Sequence, residues 1–245
     1  MRLEKICTVI INWGGISKFE DKAITMAQLK HALETNYKDM TTTPTGPEIQ
    51  QLCLAAPKYG NDDDYVDNIQ KHILNFQADD MHKTKHFGLE GVSGSAPATT
   101  SIAFGCATGA TPDGREAGVA LADGISPAQG TDVSGITAAI NSLSKIDHAN
   151  HDSGTLYNIK INPTTVQTEA GMRKWADMIR TYFNNGGYHV QFNMVSTETL
   201  KAAQKEPQKY RDLLVRVAGY SAFFTQLDKQ AQEDIIARTE HGISA

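Results

Sequence analysis

Helical periodicity dominates the first third of the chain. Residues 25–37 open with a threonine and a glutamine at capping-box spacing, and apolar residues then recur every three or four positions. A second helix is predicted from Pro47, because proline is favoured in the first turn of a helix, and a third is predicted over residues 63–80. The pattern therefore predicts three helices between residues 25 and 80.

The last third alternates between strand and helix patterns. Residues 155–161 and 188–195 have the period of two that is typical of strands, and an amphipathic helix is predicted between them at 169–184. Further helices are predicted at 197–205 with Thr197 as the cap, at 207–214, and from the cap Asp228 to about Glu240. This alternation favours an α/β architecture.

Between these regions lies a tract of small and polar residues, 87–153, where the one long apolar period covers residues 136–146. Such loop-rich tracts usually line a site or are mobile. Asp113, Arg115 and Asp123 are charged residues in this tract. Two interpretations stay open for them: local turn and ion-pair chemistry, or side chains that reach the interior of the protein.

Composition narrows the class of protein. The 245 residues are 40% hydrophobic and 21% charged with a formal net charge of −5, which is ordinary for a globular protein and argues against a nucleic-acid partner. The longest apolar stretch near the start, residues 6–11, is too short for a signal peptide or a membrane span. Three cysteines without CxxC spacing favour neither disulfides nor zinc. We therefore expect a cytoplasmic enzyme, or a piece of one, without a membrane partner.

Two clusters could bind a metal ion on spacing alone. His148, His151 and Asp152 are close in sequence, but they lie in a polar turn with no further ligand nearby, and a solvated loop is the favoured interpretation. The acidic run 62–64 directly precedes a helix, so capping and complementarity to the helix dipole account for it. We expect no metal site.

A single glycine, Gly219, interrupts the bulky run 216–224. The ordinary interpretation is a tight turn, because glycine tolerates positive φ. A second interpretation uses another property of glycine. Removal of a hydrogen atom from its Cα leaves a radical that conjugates with the amide nitrogen on one side and the carbonyl on the other. Since glycine has no Cβ, this carbon can flatten, and the radical can persist if it is buried away from oxygen.

The residues around Gly219, RDLLVRVAGYSAFFTQL (211–227), resemble the radical-site signature of glycyl radical enzymes, the family of pyruvate formate-lyase and of the diol and hydroxyproline dehydratases. The resemblance runs in order over residues 16–240. Its other blocks are APKYGNDDDYVD (56–67), GATPDGREAG (109–118), LADGISPAQGTD (121–132), GTLYNIKINP (154–163) and GGYHVQFNMVS (186–196). The Ala-Gly-Tyr-Ser form and the upstream PDGR are more similar to the dehydratase and choline lyase branch than to pyruvate formate-lyase itself.

This resemblance implies an α/β fold: the C-terminal half of a ten-stranded barrel with surrounding helices and a C-terminal glycyl radical loop. Residues 1–110 would match the middle of the family fold, and residues 111–245 would form its glycyl radical domain. Gly219 would hold the radical. The residues implied to support the loop are Arg216, Val217, Ala218, Tyr220 and Ser221. The polar positions of the strand at 188–195, His189, Gln191 and Asn193, are predicted to form a hydrogen-bonded wall of the barrel interior near this loop.

The resemblance also implies partners. A radical S-adenosylmethionine activating enzyme would install the radical, the protein itself would bind no cofactor, and the complete enzyme would act on a small-molecule substrate. A homodimer of the complete enzyme is one expected assembly.

The family's dehydratase-type cysteine loop, Gly-Cys-x-Glu, is not matched by Cys7, Cys53 or Cys106, which we interpret as ordinary buried thiols. We therefore expect the thiyl cysteine in a preceding region or a companion enzyme, and we expect the chain to begin part-way through a larger protein. Its function would be radical storage in an enzyme of dehydratase, lyase or formate acetyltransferase type. Two alternatives stay open: a stand-alone spare radical subunit that repairs an oxygen-damaged enzyme, and a non-functional truncated remnant.

Overall fold

The chain divides into two units in the computed structural model, which describes residues 24–95 and 99–242. The first unit contains the described residues 24–58 and 100–121, and the second contains the other described residues. The predicted boundary between residues 110 and 111 concerns the domains of a family rather than these units, and it stays a prediction.

The elements follow in chain order. The helices are α1 (Met26–Glu34), α2 (Gly46–Leu54), α3 (Asp64–Lys83), α4 (Thr100–Ala107), α5 (Ile136–Ser144), α6 (Glu169–Asn184), α7 (Thr197–Lys205) and α8 (Lys229–Ala237). The strands are β1 (Lys85–His86), β2 (Leu89–Glu90), β3 (Tyr157–Ile161), β4 (Val190–Asn193), β5 (Leu214–Arg216), β6 (Ser221–Phe223) and β7 (Glu240–His241).

Helix starts follow the cap chemistry of the sequence. The Thr25 hydroxyl accepts from the Gln28 amide, and the Gln28 side chain accepts from the Thr25 amide at 2.8 Å, so the capping box at α1 is confirmed. Asp228 caps α8 as predicted. The predicted cap of α7 is wrong by one residue, because the hydroxyl of Ser196 rather than that of Thr197 accepts from the first turn.

The first unit packs α1 against α2. The buried residues of the hydrophobic cluster between them are Ile24, Leu29, Ala32, Tyr37, Ile49 and Cys53. The Tyr37 hydroxyl donates to the carbonyl of Thr111 at 2.7 Å, which ties the glycine-rich segment to this core. Burial raises the pKa of Tyr37, so the phenol stays protonated and remains a hydrogen-bond donor.

The second unit is built on a parallel three-stranded sheet in the order β4-β3-β7. The β3-α6-β4 connection is a βαβ unit, and helix α6 covers one face of the sheet through Trp175, whose ring lies edge-on to Phe192 with centroids 5.2 Å apart. The face of β4 opposite to α6 is polar. Its residues Gln191 and Asn193 are buried, whereas Val190 and Phe192 are half-buried. Strand β4 therefore buries its polar face more completely than its apolar one, whereas every residue of β3 is buried.

The helix predicted at residues 207–214 is not formed. Successive turns occupy residues 207–212, with Tyr210 donating to the Pro207 carbonyl at 3.2 Å, and the chain then enters strand β5. The valines at 215 and 217 account for the difference, because their alternation places both on the buried side of a strand.

Candidate radical site

Strands β5 and β6 form an antiparallel hairpin, which we call the Gly219 hairpin. Val215 pairs with Ala222, and the amide of Val217 donates to the carbonyl of Tyr220 at 2.9 Å, so Ala218 and Gly219 form a two-residue turn. Gly219 has φ of +77°, a conformation that costs glycine little and other L-residues more. A Cβ built at Gly219 would meet no atom within 4 Å. The requirement for glycine is therefore conformational and not steric.

One side of the Gly219 hairpin is anchored in a hydrophobic core shared with α7 and α8. The buried members of this core are Leu200, Ala203, Val215, Val217, Ala218, Phe224 and Ile235. Ala218, the neighbour of Gly219, belongs to this set. The turn is thus fixed from its inner side up to the residue before the glycine.

The other side of the hairpin meets the polar face of β4. The side-chain amide of Asn193 donates to the Arg216 carbonyl at 2.7 Å, and its oxygen accepts from the Arg216 amide at 3.0 Å. The Arg216 guanidinium donates to the side-chain oxygen of Gln191 and to the Ser221 hydroxyl. The structure therefore brings together Arg216, Ser221, Gln191 and Asn193, which the sequence placed in two separate groups.

His189 lies just before β4, on the same polar side. Burial lowers the pKa of His189, and the positive charge of Arg216 lowers it further. Its Nδ1 is buried without a hydrogen-bond partner in residues 24–95 and 99–242, and the same is true of Gln191 Nε2. The predicted wall is thus adjacent to the hairpin, and two of its polar atoms retain unused hydrogen-bonding capacity.

Gly219 and Tyr220 are exposed at the tip of the hairpin. A persistent radical glycine is expected to be buried away from oxygen, and the exposure of Gly219 in this chain differs from that expectation. The physical reason is position: a two-residue turn at the end of a hairpin projects beyond the core that anchors its strands. Ser221 is exposed as well, whereas Val217 and Ala218 are buried.

The polar face extends along the sheet through residues that sequence analysis did not single out. Asn158 pairs in register with Gln191, and Lys160 pairs with Asn193, and both are buried. The Asn158 amide donates to Asp123, and Lys160 Nζ donates to the Ile236 carbonyl at 2.9 Å. Burial lowers the pKa of Lys160. The alternation of Asn and Lys with apolar residues in the predicted strand was the available signal.

Asp123 and Asp113 are both buried, and Asp123 contacts the sheet. The contacts of Asp113 and Arg115 are those of a local turn. The Asp113 carboxylate accepts from the Thr111 hydroxyl at 2.6 Å, and the Arg115 guanidinium donates to backbone carbonyls of the same glycine-rich segment, including that of Val119 at 2.6 Å. These two residues organise a local turn.

His148 and His151 are buried, so the predicted solvated loop is wrong. Rings at both positions are hydrogen-bonded: His148 contacts the Thr155 hydroxyl at 2.6 Å and the Leu143 carbonyl at 2.9 Å, and His151 contacts the Ser93 hydroxyl at 3.1 Å. Burial lowers the pKa of both imidazoles. Short polar loops can thus be buried when neighbouring elements satisfy most of their polar atoms, which local composition does not reveal. One ring atom, His151 Nε2, is buried without a hydrogen-bond partner among the described residues.

The remaining metal candidates are also structural. Asp63 caps α3 as predicted, and Lys145 lies within 2.8 Å of carboxylate oxygens of Asp62, Asp64 and Asp67. Across residues 24–95 and 99–242, no group of three or more His, Cys, Asp or Glu residues is arranged to hold a metal ion.

The two cysteines among the described residues differ in burial. Cys53 is buried, as predicted, whereas Cys106 on α4 is exposed and the prediction of a buried thiol there is wrong. Cys7 lies outside the described residues. In the part of the chain that the structure describes, no helix has the length and apolar character needed to cross a bilayer.

Two known protein families match successive parts of the chain. Residues 121–225, which include the Gly219 hairpin and β4, match the family described as glycine radical, and residues 14–105 match the family described as pyruvate formate lyase-like. The chain belongs to the glycyl radical enzyme family. It is 46% identical over 231 residues to a probable dehydratase of Escherichia coli (strain K12), covering 91% of this chain and 28% of that protein. It is 42% identical over 241 residues to an isethionate sulfite-lyase of Bilophila wadsworthia, covering 96% of this chain and 28% of that protein.

The fold comparison agrees. The glycerol-bound form of the B12-independent glycerol dehydratase from Clostridium butyricum superposes with a TM-score of 0.88 at 43% identity, over 97% of this chain and 30% of that chain. The predicted fold, an α/β portion of the family's barrel, is thereby confirmed. The chain spans between a quarter and a third of the length of the relatives it matches.

Proposed function

We propose that the chain is the radical-storing part of a glycyl radical dehydratase or lyase, and that Gly219 holds the unpaired electron. The observation that carries this proposal is the position of Gly219: the tip residue of a hairpin anchored on both sides, inside the segment that matches the glycine radical family. The relatives' names, which include a dehydratase and a sulfite-lyase, support the reaction class.

The chemistry begins with the Cα–H bond of Gly219. A radical S-adenosylmethionine activating enzyme supplies a 5′-deoxyadenosyl radical, which takes one hydrogen atom from Cα and leaves as 5′-deoxyadenosine. The Cα becomes planar and shares its electron with the two flanking peptide groups. An exposed tip suits this step, because the activating enzyme must bring a carbon radical into contact with Cα.

Catalysis requires a second site. The Gly219 radical takes a hydrogen atom from a cysteine thiol, so that Cα–H re-forms and a thiyl radical is produced, which then abstracts hydrogen from a small-molecule substrate. Neither Cys53 nor Cys106 lies in a Gly-Cys-x-Glu sequence. We therefore propose that the thiyl cysteine and the substrate-binding residues come from protein outside this chain, and that the same protein covers the exposed tip.

Electron paramagnetic resonance tests the assignment directly. The chain is produced in cells supplied with glycine labelled with ¹³C at Cα. It is then incubated without oxygen with an activating enzyme, S-adenosylmethionine and a reductant. We expect a doublet from the remaining α-hydrogen, further split by ¹³C. A sample without any such signal, measured with an activating enzyme that converts a known relative, would refute the proposal.

Exposure of the activated chain to air gives an independent readout. Oxygen adds to a carbon-centred radical, and backbone cleavage follows at that residue. We expect a C-terminal fragment that begins next to Gly219, identified by mass spectrometry, and only in samples that showed the doublet. An intact chain after full loss of the signal would contradict the assignment.

A further inference from the structure

The backbone of Arg216 occupies an unusual position in the Gly219 hairpin. Residue pairs in an antiparallel ladder alternate between hydrogen-bonded and non-hydrogen-bonded types. Val217 and Tyr220 are a hydrogen-bonded pair, as are Leu213 and Phe224, whose N–H···O distance is 2.8 Å. By alternation, the N–H and C=O of Arg216 point away from β6, to the outer edge of β5.

An outer edge normally bonds to water or to another strand. Here both backbone groups of Arg216 bond to one side chain: Asn193 accepts from the N–H at 3.0 Å and donates to the C=O at 2.7 Å. The carboxamide has one donor and one acceptor side by side, as a peptide group does, so it takes the place of a neighbouring strand. Asn193 is only 5% exposed, which means that water does not compete for these bonds.

Gln191 reinforces the contact from the same face of β4. Its side-chain oxygen accepts from the Arg216 guanidinium, and it is 8% exposed. Two adjacent buried carboxamides thus fix the main chain and the side chain of one residue, three positions before Gly219.

We propose that Asn193 is a positioning residue for the radical glycine: it fixes the Gly219 hairpin to the sheet through the backbone of Arg216, with Gln191 in support. This inference rests on the proposed role of Gly219. The position of the hairpin relative to β4 then determines where the unpaired electron is held. Loss of Asn193 leaves the hairpin anchored by its inner core alone, so its tip moves more freely and the radical meets quenching molecules more often.

The first test needs no substitution and no radical. In the wild-type chain, residue-resolved hydrogen–deuterium exchange compares the amides of Arg216 and Leu214, which both point to the outer edge of β5, although only that of Arg216 is bonded to Asn193. We expect Arg216 to exchange at least about tenfold more slowly than Leu214, after correction for intrinsic rates. Equal rates would overturn the proposal.

The second test compares Asn193→Ala with Asn158→Ala. Asn158 is the matched control, because it is a buried asparagine on the same face of the sheet, 8% exposed, and its amide bonds to Asp123 rather than to the hairpin. We expect Asn193→Ala to speed exchange at Arg216 about tenfold and to shorten the lifetime of the doublet severalfold, whereas Asn158→Ala changes neither beyond its effect on thermal stability. Equal effects of the two variants would reduce Asn193 to an ordinary structural residue and overturn the proposal.

An isosteric variant separates the donor from the acceptor of the carboxamide. Asn193→Asp keeps the oxygen that accepts from the Arg216 amide but places a second acceptor against its carbonyl, so protection and lifetime should fall below those of wild type. Values equal to those of wild type would overturn the proposal. A wild-type chain that shows slow exchange at Arg216 but no doublet would count against the radical assignment alone, so the two failures can be distinguished.

Discussion

Two hairpins in the second unit end in a tight turn with a glycine, and they are held in opposite ways. In the Phe87 hairpin, formed by β1 and β2, Lys85 pairs with Glu90 and the turn residues Phe87 and Gly88 both have positive φ. Phe87 is fully exposed, and Leu89 is 73% exposed. The Gly219 hairpin instead buries its inner side and bonds its outer edge to β4.

The difference shows which forces fix a turn in space. Turn chemistry folds the chain back on itself in both hairpins, since each contains a glycine that takes up the positive φ. Only burial and edge pairing fix a hairpin relative to the rest of the protein. A residue that stores a radical for transfer to another group needs that second property, because hydrogen-atom transfer requires a defined approach of the two atoms.

Substitution of the two tip glycines should give the largest difference between the two hairpins. Gly219 has φ of +77° and Gly88 has φ of +80°, and at both positions a Cβ would meet open space. Asparagine tolerates this conformation better than other non-glycine residues, so the hairpins should persist in Gly219→Asn and Gly88→Asn. We expect Gly219→Asn to abolish the doublet and Gly88→Asn to leave its intensity unchanged.

The measurement is spin per chain after identical activation, with circular dichroism to verify folding. A full-intensity doublet in Gly219→Asn would show that the electron resides elsewhere. Loss of the signal in Gly88→Asn as well would show that the method reports general damage rather than the radical residue.

A second comparison concerns the anchoring core. Phe224 is completely buried where the Gly219 hairpin ends, so Phe224→Ala should lower the free energy of unfolding by about 3–5 kcal/mol. Leu89→Ala in the other hairpin should change it by no more than about 0.5 kcal/mol, because that side chain is exposed. Urea denaturation checks both values. Similar losses would show that the Phe87 hairpin is buried against something that its exposure in this chain does not reveal.

Sequence reasoning reached the elements whose signals are local. The capping box at Thr25 and Gln28, the amphipathic helix α6 and the alternation of β4 each depend on residues within a few positions of one another. Gly219 was singled out by its chemistry and by a family resemblance, and neither of these depends on knowledge of the hairpin.

The features that sequence reasoning missed are non-local. Residues 207–214 contain good helix formers, but strand β5 begins at Leu214 because Val215 and Val217 are buried in a core shared with α7 and α8, and those partners are distant in sequence. The sequence around His148 and His151 predicts a solvated loop, because nothing in it shows that the hydroxyls of Thr155 and Ser93 become hydrogen-bond partners of these rings in the folded chain. Burial of polar residues is set by tertiary packing and not by composition.

Alanine at either tip glycine should have a smaller effect. Gly219→Ala and Gly88→Ala each force a Cβ into the left-handed region, which costs about 1 kcal/mol, and neither creates a clash. We expect equal losses in the free energy of unfolding, in contrast to the large difference between Phe224→Ala and Leu89→Ala. A loss at Gly219 that is much greater than at Gly88 would mean that the anchored turn resists adjustment that the free turn permits.

Acidification should give the smallest difference in amide exchange between the two hairpins. The segment that follows β2 is tied down where Ser95 donates to the Gly154 carbonyl at 2.9 Å and the Ser93 hydroxyl contacts His151. Burial lowers the pKa of His151; the charges of Asp147 and Asp152 raise this pKa by smaller amounts, and the neighbouring His82 lowers it slightly further. In the unfolded chain the pKa of a histidine is about 6.5, so as the pH falls the unfolded state takes up a proton before the folded state does.

The stability that His151 contributes is therefore complete above about pH 6.5 and is lost as the pH falls toward its lowered folded-state pKa. Between pH 7 and pH 5.5, exchange at the amide of Ser95, corrected for the intrinsic effect of pH, should accelerate before that of Val217, which is bonded within the Gly219 hairpin. His151→Gln should flatten this pH dependence, and His72→Gln, on the exposed side of α3, should leave it unchanged. If His151→Gln retained the full dependence, the acid sensitivity of the segment that follows β2 would have to arise from a titrating group other than His151.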